Sequence, residues 1–141
     1  MRVIGLDFGL KRIGVAVSDE GGRLAQPLRA LPAGSEKQVK EGLQRVIAEY
    51  SPESVVLGDP RMPDGGEGSL SARVREFAAM IEGTFGLKVV LRDERYTSFE
   101  AGERLKEAGN GNWRSRKGKL DQAAAAIILQ DYLDSLGRKA A

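Results

Sequence analysis

Alternation opens the chain. In Val3-Ile4-Gly5-Leu6-Asp7-Phe8, residues two apart share a face, so Ile4, Leu6 and Phe8 point one way and Val3, Gly5 and Asp7 the other. A second strand follows across a glycine-containing turn, through Ile13-Gly14-Val15-Ala16-Val17 to Asp19. A third is expected from Leu24 to Leu31, at a sheet edge because Pro27 cannot donate to a ladder. Ser35, with Gln38 three residues on, forms a capping box. The helix it starts carries Val39, Leu43, Val46, Ile47 and Tyr50 on one face and stops at Ser51-Pro52.

The second half alternates strand and helix. Ser54-Val55-Val56-Leu57-Gly58 reads as a strand buried on both faces. The turn-rich loop Asp59 to Gly66 leads to a helix with Leu70, Val74, Phe77, Ala78 and Ile81 inward, broken by Gly86. Leu87 to Leu91 is the fifth strand. Thr97-Ser98-Phe99-Glu100 starts a short helix running to about Ala108, residues 109–119 form a polar basic loop, and the last helix runs from about Gly118 to Leu136. Tight turns favour antiparallel neighbours, and helical crossovers favour parallel strands joined right-handedly. The fold class expected is α/β: a five-stranded mixed sheet, three antiparallel strands then two parallel, flanked by helices in one domain spanning 1–141.

Composition narrows the chemistry. The 141 residues are 41% hydrophobic and 30% charged, with no apolar run long enough to span a bilayer and no signal-peptide pattern. A cytoplasmic protein without membrane contact is expected. The absence of cysteine removes disulfides, thiolate metal sites and thiol nucleophiles. The absence of histidine removes the commonest general base near neutral pH and the commonest zinc ligand. Any catalysis must rest on carboxylates, lysine, hydroxyls or a metal held by oxygen.

Three acids stand where structure alone would not put them. Asp7 ends the first strand, Glu94 follows the fifth, and Asp121 lies one turn into the last helix on a stripe with Ala125, Ile128 and Tyr132. A carboxylate in a first helical turn also gains from the helix dipole, which is the other reading of Asp121. Sites in open α/β sheets form outside the carboxyl ends of parallel strands. Converging carboxylates need a cation to stay ionised together, and oxygen-only ligands suit magnesium or manganese. Near them Arg114, Arg116, Lys117 and Lys119 flank Trp113, and Lys11 and Arg12 follow Asp7. Cations beside an aromatic suit phosphate contact and base stacking; the other reading is a solvated loop with Trp113 folded onto the core.

Four segments, in order, together resemble the YqgF/RuvX family of RuvC-like, RNase H-fold proteins: Leu6-Asp7-Phe8-Gly9 with Lys11-Arg12-Ile13-Gly14-Val15-Ala16; Val56-Leu57-Gly58-Asp59-Pro60 with Met62-Pro63-Asp64-Gly65; Asp93-Glu94-Arg95-Tyr96-Thr97-Ser98; and Lys117-Gly118-Lys119-Leu120-Asp121 with Ala123-Ala124-Ala125. The resemblance implies an RNase H-like nuclease whose acidic positions fall on Asp7, Glu94 and Asp121. It implies branched DNA, as in Holliday-junction resolution, or the 5′ end of precursor 16S rRNA as substrate. Magnesium or manganese is the implied cofactor, and a homodimer would suit a junction cut symmetrically.

The chain departs from that pattern twice. Asp59 stands where an aliphatic residue is expected, adding an acid near the site. Ala124 stands where a RuvC-type site has a second helix acid. Two other readings remain open: a non-catalytic nucleic-acid-binding or ribosome-assembly factor, and a nucleotide-binding protein of the actin and sugar-kinase type, whose two-domain architecture 141 residues do not supply. Gly5, Gly9 and Gly14 are expected to leave room for a phosphate backbone.

Overall fold

The computed structural model describes residues 1–60, 68, 70–93 and 120–140, with the backbone alone at 120–122 and 138–140. Its strands are β1 (Val3–Asp7), β2 (Arg12–Ser18), β3 (Ala25–Pro32), β4 (Ser54–Asp59) and β5 (Lys88–Asp93). Its helices are α1 (Glu36–Tyr50), α2 (Ser71–Phe85) and α3 (Leu120–Ala140). The sheet order is β3-β2-β1-β4-β5. β1–β2 and β2–β3 are antiparallel, while β1–β4 and β4–β5 are parallel. The mixed sheet expected from turn lengths is therefore present, with β3 at one edge. The ladder between β2 and β3 shifts register after Val15, passing from Arg29 to Pro27, where an amide hydrogen is missing. The expected helix over 97–108 and the loop 109–119 lie outside the described residues.

Capping chemistry sets the helix ends. Ser35 Oγ accepts from the Gln38 amide at 3.1 Å, and the Gln38 side chain accepts in return from the Gly34 amide at 3.1 Å. The box thus reaches back one residue beyond the cap. Ser51 closes α1 in the left-handed region, φ 47°, and Gly86 closes α2 at φ 67°. Leu70, expected on the inner face of α2, is its N-cap position.

Two cores lie on opposite faces of the sheet. Ile4, Leu6, Ile13, Val15, Val55 and Leu57 pack against Val39, Leu43 and Val46 of α1 and Val74, Phe77 and Ile81 of α2. Val3, Ala16, Ala25 and Val56 pack against Ala123, Ala125, Ala126, Ile128, Leu129 and Leu133 of α3. β1, β2 and β4 are buried on both faces, as their apolar content requires.

The alanines of α3 let it lie close to the sheet, and Gly5 lets it lie closer still. A Cβ at Gly5 would sit 2.7 Å from Leu129 Cβ and 2.9 Å from the Ala125 carbonyl oxygen. The expectation for this glycine is thereby corrected: the space beside it belongs to α3, not to a phosphate. Gly9 is likewise a turn residue, since a Cβ there would meet the Arg12 carbonyl oxygen at 2.5 Å.

Candidate active site

Asp7 is half-buried at the carboxyl end of β1, on the α3 face with Val3 and Gly5. Its cross-strand partner on β2 is Gly14. On the other side, Leu6 is level with Leu57, so the next residue of β4, Gly58, lies beside Asp7. The carboxylate is thus flanked on both neighbouring strands by residues without side chains. Of the three glycines expected to make room here, only Gly14 keeps that role, and Gly58 joins it. Alternation along β2 puts Arg12 on the same face as Gly14 and Ala16. Lys11 and Arg12 are both exposed at the start of that strand.

The direction of α3 brings a second element to this end. Gln130 is fully buried. Its Oε1 accepts from the Ala25 amide at 2.9 Å, and its Nε2 donates to the Arg23 carbonyl at 2.8 Å. Ala25 is level with Ser18, whose Oγ accepts from the Val3 amide at 2.8 Å. Gln130 therefore lies toward the start of β1 and Ala125 over Gly5, so α3 runs antiparallel to β1. From Ala125, over Gly5, back to 121 is roughly 6 Å at 1.5 Å per residue, and from Gly5 to Asp7 is roughly 7 Å along the strand. The backbone of position 121 thus comes level with Asp7. At the far edge, Arg92 Nε donates to Asp131 Oδ2 at 3.0 Å, with the Asp131 side chain only 5% exposed. That ion pair fastens α3 to β5, the strand that precedes Glu94 in sequence.

The extra acid Asp59 is on the other face. It shares the parity of Val55 and Leu57, which pack against α1 and α2, and it is level with Asp93 across β4–β5. It is 4% exposed and accepts from Ser71 Oγ at 3.3 Å, while Ser71 Oγ also accepts from the Gly68 amide at 3.0 Å. A buried carboxylate at the first turn of α2 complements the helix dipole. Asp59 is therefore a helix-end residue: it follows Gly58, which lies beside Asp7, but belongs to the opposite face of the sheet.

Among the described residues no three acidic side chains are grouped to hold a metal ion. Glu94, Arg95, Trp113, Arg114, Arg116, Lys117 and Lys119 lie outside the described residues, and of Asp121 only the backbone is described. Asp7 itself offers the hard oxygen donor that magnesium or manganese takes.

The RuvX family model, described as Holliday junction resolvase, matches residues 1–135. The chain belongs to the RuvX family. A relative in Klebsiella pneumoniae, named "Putative pre-16S rRNA nuclease", is 42% identical over 132 residues, 93% of this chain and 94% of its own length. One of the same name in Thermoanaerobacter pseudethanolicus is 37% identical over 139 residues, 99% of this chain and 100% of its own. Among solved structures, RuvC of Thermus thermophilus superposes with a TM-score of 0.64 at 16% identity, covering 98% of this chain and 97% of that one. The fowlpox virus Holliday junction resolvase superposes at 0.60 and 17%, covering 96% and 99%. At such identities the likeness is one of fold: the RNase H-like fold of RuvC-type resolvases.

RuvX membership makes this chain a nuclease, a hydrolase acting on nucleic acid, as the four motifs implied. Sequence reasoning missed the residue beside Asp7 on β4 and those that seat α3. Gly58 was visible only as part of a strand, because its position beside Asp7 depends on the β1–β4 register. Gln130 and Asp131, not among the expected site residues, are both buried and fix where the last helix sits. A polar pair amid Ile127, Ile128, Leu129 and Leu133 was the available signal.

Proposed function

We propose that this RuvX chain is a divalent-metal-dependent endonuclease that hydrolyses phosphodiester bonds in structured nucleic acid. Asp7, Glu94 and Asp121 hold magnesium or manganese in this reading. The observation that carries it is Asp7 itself: a half-buried carboxylate at a strand's carboxyl end, flanked by Gly14 and Gly58 and approached by the N-terminal turns of α3. When bound, the metal lowers the pKa of water and offsets charge developing on the phosphate. The chain's own part is to bind and orient. Asp7 and the two further carboxylates fix the donor geometry, Lys11 and Arg12 hold the strand's phosphates, and the basic segment Arg114, Arg116, Lys117 and Lys119 with Trp113 extends that hold. Ala124 on α3 supplies no carboxylate, so this set has one donor fewer than a four-acid site.

The substrate we favour is precursor 16S rRNA, because relatives of about 40% identity over nearly the whole chain bear that name. The resolved RuvC with Holliday junction substrate is 17% identical. The family description supports a second reading, junction resolution, which would call for a two-fold dimer. Wild-type and Asp7→Asn proteins should be offered both substrates side by side with magnesium or manganese. Loss of rRNA cleavage in the variant, with binding retained, is expected. Junction cleavage alone would favour resolvase, and unchanged cleavage by Asp7→Asn would sink the metal site. No helix among the described residues is long and apolar enough to cross a membrane.

A further inference from the structure

On the opposite side of β1 from Asp7, an open crevice of about 760 Å³ lies between the β1–β2 turn and the first turns of α1 and α2. We propose that it receives an unstacked nucleobase of the substrate strand, one bearing an exocyclic amino group. This rests on the nuclease reading above and extends it. Three observations carry it.

The first is location. The crevice is lined by Phe8 and Gly9, the two residues directly after Asp7, and opens at the carboxyl edge of the sheet, where α/β ligands bind. A strand with a phosphate at Asp7 reaches it by passing the turn. Leu10, 56% exposed, stands at that turn beside the exposed cations Lys11 and Arg12. An apolar side chain raised next to phosphate-binding cations is the arrangement that wedges bases apart.

The second is the floor. Phe8 and Phe77, with ring centroids 5.2 Å apart, line it with Ile13 and Met80. Half-buried Phe8 and Met80 offer the apolar face, backed by buried Phe77 and Ile13, and the volume falls within the usual range of small-molecule sites. The third is the charge of the lining, where Glu36 comes from α1 and Arg73 and Glu76, one turn apart, come from α2. Glu36 pairs with Lys40 at 3.4 Å along its own helix. At the start of α1 the Gln38 amide is already taken by Ser35 Oγ, and two carboxylates repel a phosphate. Carboxylates accept instead from the amino groups of cytosine, adenine or guanine, and a guanidinium stacks on a ring face.

The test measures binding by the full chain carrying Asp7→Asn, so that nothing is cut. The probes are a precursor 16S rRNA 5′ fragment and a four-way DNA junction, each with an abasic site or a uracil base stepped through the positions around the bound phosphate. An abasic site at one position should weaken binding about tenfold, as lost base stacking does. Ala72→Trp, on an exposed position lining the crevice, should weaken the intact probe to the same degree and the abasic probe no further. Glu76→Gln should weaken the amino-bearing base but not uracil. Affinity indifferent to the abasic scan would overturn the proposal, as would Ala72→Trp binding like its parent, the result expected if a protein partner fills the crevice. Failure to bind either probe would overturn it together with the nuclease reading. If Asp7→Asn cleaves normally, only the metal site fails, since the binding cycle is read without cleavage.

Discussion

The close approach of α3 to β1 makes Gly5→Ala a demanding substitution. Its new Cβ would lie 2.7 Å from Leu129 Cβ and 2.9 Å from the Ala125 carbonyl oxygen. Carbon atoms rest about 3.5–4.0 Å apart, so a gap of roughly 1 Å must open. Neither obstacle is the end of a flexible side chain, so the helix or the strand itself must shift. Overpacking of this kind costs about 1–3 kcal/mol, and the entropy gain of replacing a strand glycine offsets about 0.5–1 kcal/mol. A net loss of about 1 kcal/mol lowers the melting temperature by about 2–4 °C for a chain of this size. Differential scanning calorimetry reads it directly. The same shift moves position 121 against Asp7, and a misplacement of about 1 Å can cost on the order of a hundredfold in rate. Cleavage should therefore fall steeply at temperatures where the variant is still folded. Gly83→Ala is the control: it lies in α2 with nothing within 4 Å of its new Cβ, and should raise stability by up to about 1 kcal/mol. If Gly5→Ala melts within about 1 °C of wild type and cleaves normally, α3 does not seat on Gly5 as described.

Other substitutions separate structural from catalytic groups. Asp59→Asn should cost about 1 kcal/mol in urea unfolding, through the lost charge at the start of α2, while cleavage stays unchanged; loss of cleavage would assign Asp59 to the site. Gln130→Ala strands the buried Ala25 amide and the Arg23 carbonyl, and should cost about 2–4 kcal/mol with an unchanged denaturant slope. Asp19 accepts from the Arg23 amide at 2.8 Å, and mainly for that reason its carboxyl titrates below the ordinary value of 3.8. Its charge therefore stabilises the fold above that value, and the contribution disappears as pH falls through the folded pKa. The melting-temperature gap between wild type and Asp19→Asn should be present at pH 6 and shrink as pH falls below 3.8; a gap that does not shrink in acid would refute the linkage.

Local rules made much of this protein readable from its sequence. Alternation assigned Asp7 to the face of Val3 and Gly5, Ser35 and Gln38 marked the start of α1, and the 3.6-residue stripe through Ala125 and Ile128 marked the inward face of α3. These depend on neighbours a few residues away. What remained hidden depends on register and crossing, which join residues far apart in the chain. The β1–β4 and β4–β5 ladders decided that Gly58 lies beside Asp7 and that Asp59 points to the opposite core. The seating of α3 decided that Gly5 makes room for a helix rather than a ligand, and that Gln130 completes the hydrogen bonding of β3 from 105 residues away. One-residue parity reverses every face in a sheet. The sequence by itself therefore determined the elements and the face each residue takes within them, and only the tertiary structure decided which residues of different elements share a side.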